Sequence, residues 1–179
     1  HAVPSAGAKM SIDLDLYQDI VLEHKRSPRN FGALPGATHQ AEGTNPQCGD
    51  QISVALKIEQ DRIAEVRFQG QGCAICMASA SMMSEAIKGQ DVEMARQLQQ
   101  QFRAVLTGET DPENAHLGKL ISLAGVRRYP SRIKCALLGC EVVLADDVRL
   151  DVCRRDARCG QTFGLDFLFD LLVCHCAYP

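Results

Sequence analysis

Tryptophan is missing from this chain, and aromatic side chains of all kinds make up only 5% of it. That supply is too sparse for a surface built to stack on sugars or bases. Basic charge is not in excess either: 19 Lys and Arg stand against 22 Asp and Glu, a net charge of −3. Nucleic acid is therefore not expected as the main partner. No apolar run approaches the roughly 20 residues that a membrane helix needs, so no membrane association is expected. The first ten residues, HAVPSAGAKM, contain no apolar stretch of the secretory kind. Residues 1–9 read as a tag or leader ahead of Met10, and the cytoplasm is the expected compartment.

What the chain does have is cysteine: nine in 179 residues, at positions 48, 73, 76, 135, 140, 153, 159, 174 and 176. Disulfides rarely persist in the cytosol, so metal binding or thiol chemistry outranks a disulfide framework. An odd count also leaves one thiol over in any pairing scheme. Five of the nine fall in residues 140–179, where seven acidic residues outnumber four basic ones and account for the whole net charge. The chain thus divides into a leader, a domain over residues 10–139 and an atypical Cys-rich extension over 140–179.

Within the domain the pattern alternates between helical and extended periods. Leu14, Tyr17, Ile20, Val21 and His24 recur at helical spacing, and Pro28 ends that helix. His39–Thr44 reads as a strand. Ile52, Val54, Leu56 and Ile58 alternate with polar residues as a half-buried strand, and Ile63–Phe68 returns beside it after a turn at Gln60–Arg62. The GQG at Gly70–Gly72 is expected to break the sheet. CAICMASASMMSEAIKG, rich in small residues, suits a helix packed closely against a sheet. Asp91 can cap the next helix, and Leu120, Ile121 and Leu123 mark a short one. Pro130 is placed at the first turn of a last helix carrying IKCALLG. The expected fold is α+β, with a small, mainly antiparallel three-stranded sheet and helices packed on one face.

Cys48 lies in a loop between strands, with Asp50 two residues on. Cys73 sits at a strand-to-helix junction and Cys135 near the start of the last helix. Spacings this wide require the fold, not a local loop, to assemble any common site. Three thiolates and a carboxylate suit tetrahedral zinc, and thiolates also suit iron–sulfur clusters. The formal charge of such a zinc site is −2, so the flanking cations Arg132 and Lys134 are supporting candidates. Asp50 is a harder, weaker ligand for zinc than a fourth thiolate, which predicts a site that exchanges ligands.

Four segments, LYQDIVLEHKRSPRNFG, NPQCGD, GQGCAICMASASMM and RIKCALLG, resemble the U-type proteins of iron–sulfur cluster assembly (SufU, IscU and the N-terminal domain of NifU). The resemblance spans about Leu14 to Gly139 and implies a SufE/NifU-like fold. It also implies that Cys48, Asp50, Cys73 and Cys135 are metal or cluster ligands. IscU-type chains carry His before the third cysteine, where this chain has Lys134. The additional segment FRAVLTGETDPENAHLGKLISLAG also looks like the SufU type. That type implies a zinc-bound sulfur acceptor for a pyridoxal-phosphate cysteine desulfurase (SufS-like), with downstream cluster assembly proteins as further partners. In the family a histidine of the desulfurase displaces the loop cysteine from zinc. Cys48 would then be the catalytic thiolate that attacks the outer sulfur of the desulfurase persulfide. The alternative is a non-enzymatic scaffold that builds and hands on a [2Fe–2S] cluster. Cys76, which forms C-x-x-C with Cys73, reads as a buried small residue, and the cysteines of the extension match no zinc spacing.

Overall fold

A computed structural model describes the backbone of residues 14–155 and side chains between 18 and 143. The leader lies outside these residues, as do the side chains of Cys153, Cys159, Cys174 and Cys176. Helix α1 (Leu14–Arg26) turns Val21 and His24 inward and leaves Leu22 exposed. It stops just short of Pro28, whose ring excludes helical geometry for the residue before it.

Three strands follow: β1 (His39–Asn45), β2 (Asp50–Glu59) and β3 (Arg62–Gln71). They pair antiparallel in the order β1-β2-β3. Ile52, Val54 and Leu56 of β2 are buried, with polar or small residues between them, as two-residue periodicity requires. On β3 the buried residues are Ile63, Val66 and Phe68, a spacing of three and then two. The pairing register shifts between Lys57 and Ile58, and the extra residue on β3 lets Ile63 and Val66 share one face.

Pairing also runs through Gly70 to Gln71, past the point where the GQG was expected to break the sheet. Gly70 has φ of +146°, and a Cβ there would lie 2.1 Å from the Gln51 carbonyl oxygen. The glycine is what allows β2 to approach so closely, so it continues the sheet.

Helices α2 (Ala74–Ile87) and α4 (Pro130–Arg155) cover one face of the sheet, α2 against β3 and α4 against β1 and β2. They approach each other at Gly139, where a Cβ would come within 2.9 Å of Ala80. The Ser79 hydroxyl, buried on α2, donates to the Ala136 carbonyl across the same contact. α4 does not end at Gly139: Cys140, Val142 and Val143 are buried in the same core, and Gly43 of β1 makes room for Val142.

Between these helices lie α3 (Val92–Thr107) and a run of 3₁₀ turns over Gly118–Arg128. Leu120, Leu123 and Val126 are buried at intervals of three, the period on which side chains eclipse in a 3₁₀ helix. Asp91 holds the N-cap position of α3 but makes no capping bond; its carboxylate lies 3.5 Å from Arg62 instead. No helix among the described residues is long and apolar enough to cross a membrane.

The first helix is tied to α2 by a buried polar network. His24 Nδ1 lies 2.8 Å from the Ser81 hydroxyl, which also accepts the Arg29 backbone N–H at 2.8 Å. The Ser81 hydroxyl thus joins the His24 ring to the Arg29 backbone. Burial, with Arg29 next, holds His24 below the ordinary histidine range.

Candidate metal centre

β1 ends at Asn45 and β2 begins at Asp50, so Pro46–Gly49 form a four-residue hairpin loop. The Cys48 N–H donates to the Asn45 carbonyl at 3.2 Å, closing a turn with Pro46 at its second position, where proline's fixed φ is already suitable. Gly49, with φ of +68°, returns the chain to β2. Cys48 therefore projects from a loop tip, half-buried, while Asp50 on the first residue of β2 is fully buried.

The end of β3 delivers the next donor. Cys73 is the N-cap of α2, and its sulfur accepts the Cys76 N–H at 3.4 Å, in the manner of a capping side chain. Its own N–H donates to Asp50 Oδ1 at 2.7 Å, and its Sγ lies 3.9 Å from Asp50 Oδ2. Gly72 is necessary for this, because a Cβ there would sit 2.8 Å from Asp50 Oδ1. Cys135 enters from the second turn of α4, fully buried, with its Sγ 3.2 Å from that of Cys48.

Donor atoms of Cys48, Asp50 and Cys135 all lie within 4.8 Å of one another. Cys73 stands at the edge of that group, against Asp50. None of the described cysteines is in a disulfide. Of the two cations read as supporting, Arg132 places Nη1 3.2 Å from Cys48 Sγ, and the sulfurs of Cys135 and then Cys48 strengthen its hold on its proton. Lys134 lies on the exposed side of the same helix turn. Cys76 is buried with its thiol pushed far up, first by desolvation and then by the negative groups of the cluster, which leaves it inert at neutral pH.

The cluster has the chemistry of a cation site. A tetrahedral ion with Zn–S near 2.3 Å sets its sulfurs about 3.8 Å apart; the Cys48 and Cys135 sulfurs stand 3.2 Å apart and need open only slightly to reach it, while Cys73 Sγ lies 3.9 Å from the Asp50 carboxylate oxygen. The charge balance agrees. Burial, then the neighbouring Cys48 and Asp50, pushes the Cys135 thiol far above its ordinary value, a cost that a positive charge beside its sulfur would offset. The buried Asp50 carboxylate, which accepts the neutral Cys73 N–H and faces the Cys73 thiol, gains from the same charge. Zinc therefore fits the residues present, as does another thiophilic ion.

One residue of the centre has no warning in the linear pattern. Asn45, buried at the end of β1, donates from Nδ2 to Cys135 Sγ at 3.3 Å across 90 positions of sequence. In the sequence it is only the asparagine before a turn proline.

Comparison with known proteins identifies the family and the fold. The NifU-like N terminal domain matches residues 16–136. A protein named zinc-dependent sulfurtransferase SufU, from Bacillus subtilis, is 40% identical over 69% of this chain and 84% of its own length. One from Streptococcus pyogenes, named iron–sulfur cluster assembly scaffold protein IscU, is 39% identical over 69% of this chain and 77% of its own. Among solved structures, a candidate iron–sulfur cluster assembly scaffold protein for the SUF system, from Fervidobacterium islandicum, superposes with a TM-score of 0.69 at 29% identity. It covers 74% of this chain and 97% of that one.

Proposed function

Since the chain belongs to the family of NifU-like N terminal domains, we propose that it serves iron–sulfur cluster assembly as a zinc-dependent acceptor of persulfide sulfur. Cys48, Asp50, Cys73 and Cys135 would hold the ion. Bound there, zinc would keep the thiols deprotonated at neutral pH and tie together the hairpin, α2 and α4.

The observation that carries this reading is the unequal mounting of the three sulfurs. Cys135 is built into α4, and Cys73 caps α2. Cys48 stands on a four-residue loop beside Gly49, so it can shift without unwinding a helix. It is half-exposed, and the exposed guanidinium of Arg132 faces its sulfur. The donor would be a cysteine persulfide on a pyridoxal-phosphate cysteine desulfurase. The Cys48 thiolate attacks the outer sulfur, the S–S bond of the donor breaks, and the donor cysteine departs as a thiolate. Cys48 then carries the extra sulfur as an anionic persulfide, and Arg132 is placed to balance that charge. Downstream assembly proteins would take the sulfur on, in a reducing compartment such as the cytoplasm, where free thiols persist.

A second reading draws support from the same donor set. Three cysteine sulfurs also suit a [2Fe–2S] cluster, and the relative from S. pyogenes is named a scaffold. One experiment separates the two. The mildly purified protein is assayed for metal, and desulfurase turnover is measured with and without it. About one zinc per chain, with a stimulation that Cys48→Ala abolishes, is the expected result. A coloured, transferable cluster formed under anaerobic conditions, without stimulation, would move the function to the scaffold reading.

A further inference from the structure

The proposed function requires that one particular sulfur leave while the others stay, yet Cys48 and Cys135 have the same chemistry and stand 3.2 Å apart. Their surroundings differ in burial and in the donors they receive. The exposed Arg132 guanidinium, 3.2 Å from Cys48 Sγ, acts on both sulfurs, whereas Cys135 also receives a neutral N–H from a buried amide. We infer that Asn45 is a positioning residue that designates Cys135 as a retained ligand and thereby leaves Cys48 as the exchangeable one. This rests on the reading of the cluster as a zinc site.

Two bonds made by a single residue support the assignment. Through its carbonyl Asn45 accepts the Cys48 N–H at 3.2 Å, and through its side chain it donates to Cys135 Sγ at 3.3 Å. Its backbone is fixed by pairing with Asp50, so the amide is aimed from the rigid end of β1 and not from the loop. It is 5% exposed, and an amide N–H so placed does not swing away to water at little cost. An N–H directed at a thiolate sulfur stabilises its negative charge and holds its orientation, which is how outer-layer groups tune the ligands they touch. Arg132, in water, provides charge to both sulfurs without confining either. Loss of the Asn45 donor should therefore reduce the difference between the two sulfurs and leave the number of ligands unchanged.

The test is competitive alkylation of the zinc-loaded full chain with iodoacetamide, read by mass spectrometry at each cysteine. In the parent, Cys48 should label first and Cys135 far more slowly. In Asn45→Ala the ratio of the two rates should fall by about tenfold, the lower end of what outer-layer substitutions do to metal sites, with zinc still near one per chain. An unchanged ratio in a folded, zinc-loaded variant overturns the inference. A parent that holds no zinc overturns the functional reading first and this inference with it. A second measurement needs no variant: in ¹⁵N-labelled parent loaded with ¹¹³Cd, one asparagine side-chain amide proton should show scalar coupling to the metal through the sulfur. Absence of that coupling also overturns the inference, and a coupling that persists in Asn45→Asp assigns it to another residue and does the same.

Discussion

The two ends of the sheet are held by different means. At the end where β2 turns into β3, the loop is two residues, Gln60 and Asp61, with φ of 50° and 60°. Backbone bonds fasten it to the α2–α3 connection: Gly89 N–H to the Ile63 carbonyl at 2.7 Å, Ile63 N–H to the Gln90 carbonyl at 2.9 Å, and Val92 N–H to the Asp61 carbonyl at 2.9 Å. At the other end the loop is four residues, with one backbone bond across it, and the remaining fastening is by side chains: two sulfurs, a carboxylate, an amide and a guanidinium. Backbone pairing does not depend on a cation, whereas a cluster of thiols and a carboxylate does. The molecule thus keeps its rigid closure away from the chemistry and leaves the chemical end responsive to what it binds.

The contrast can be broken most severely at the sulfur end. Cys135→Ser should lower zinc affinity by at least about 100-fold, since even outer-layer partners cost 10–100-fold. Titration against a chromogenic chelator measures it, and zinc retention at parental affinity would remove Cys135 from the site. Ile63→Ala, in the core at the opposite end, should cost about 2–4 kcal/mol in denaturant unfolding while leaving zinc content unchanged. If zinc were lost together with that stability, the two ends would not be independent. Stripping the metal from the parent should lower stability by about 3 kcal/mol when free zinc had stood near 100 times its dissociation constant. Hydrogen exchange should locate that loss around the Cys48 loop and not at Gln60–Val92.

Two smaller effects concern the frame between the ends. His24 faces Ser81 and Arg29, with Glu23, Glu85 and Lys119 adding weaker charge effects, and it is held below its ordinary value of 6.5. As the pH falls, the unfolded chain takes up the proton first. The stabilisation is therefore complete above about pH 6.5 and is lost on acidification below it. His24→Asn should flatten that dependence in melting curves between pH 7.5 and 5.5; an unaltered slope would mean that other groups cause it. The smallest change is expected from the double substitution Gln60→Asn, Asp61→Gly. Both positions have positive φ, which Asn-Gly adopts most readily, so stability should rise by about 0.5–1 kcal/mol with no change in zinc content.

Much of this architecture could be read along the chain. The alternation of Ile52, Val54 and Leu56, the small-residue run after Cys73 and the proline before Cys135 each belong to the element expected of them, because hydrophobic period and helix punctuation act locally. Gly70 was misleading for a physical reason: in sequence a glycine after a strand reads as a break, but here it admits the neighbouring backbone. Asp91 stands where a cap belongs and turns to Arg62 instead, a choice made by a partner 29 positions away. Asn45 carried no sign of its role, because a turn asparagine and a sulfur donor are spelled alike.

The sequence alone decided which side chains could serve chemistry: three cysteines and an aspartate in segments whose local rules place them on a loop tip, a strand start and two helix beginnings. Those rules extend over a few residues and are set by backbone sterics and side-chain period. Only the tertiary structure decided that these groups meet, that one sulfur is buried beneath an amide while its neighbour rests on a flexible loop, and that Gly72 leaves room for the carboxylate between them. These are contacts across 23 to 90 positions. They exist because burying the shared apolar face of the sheet and helices forces the segment ends together, and nothing local in the chain encodes that convergence.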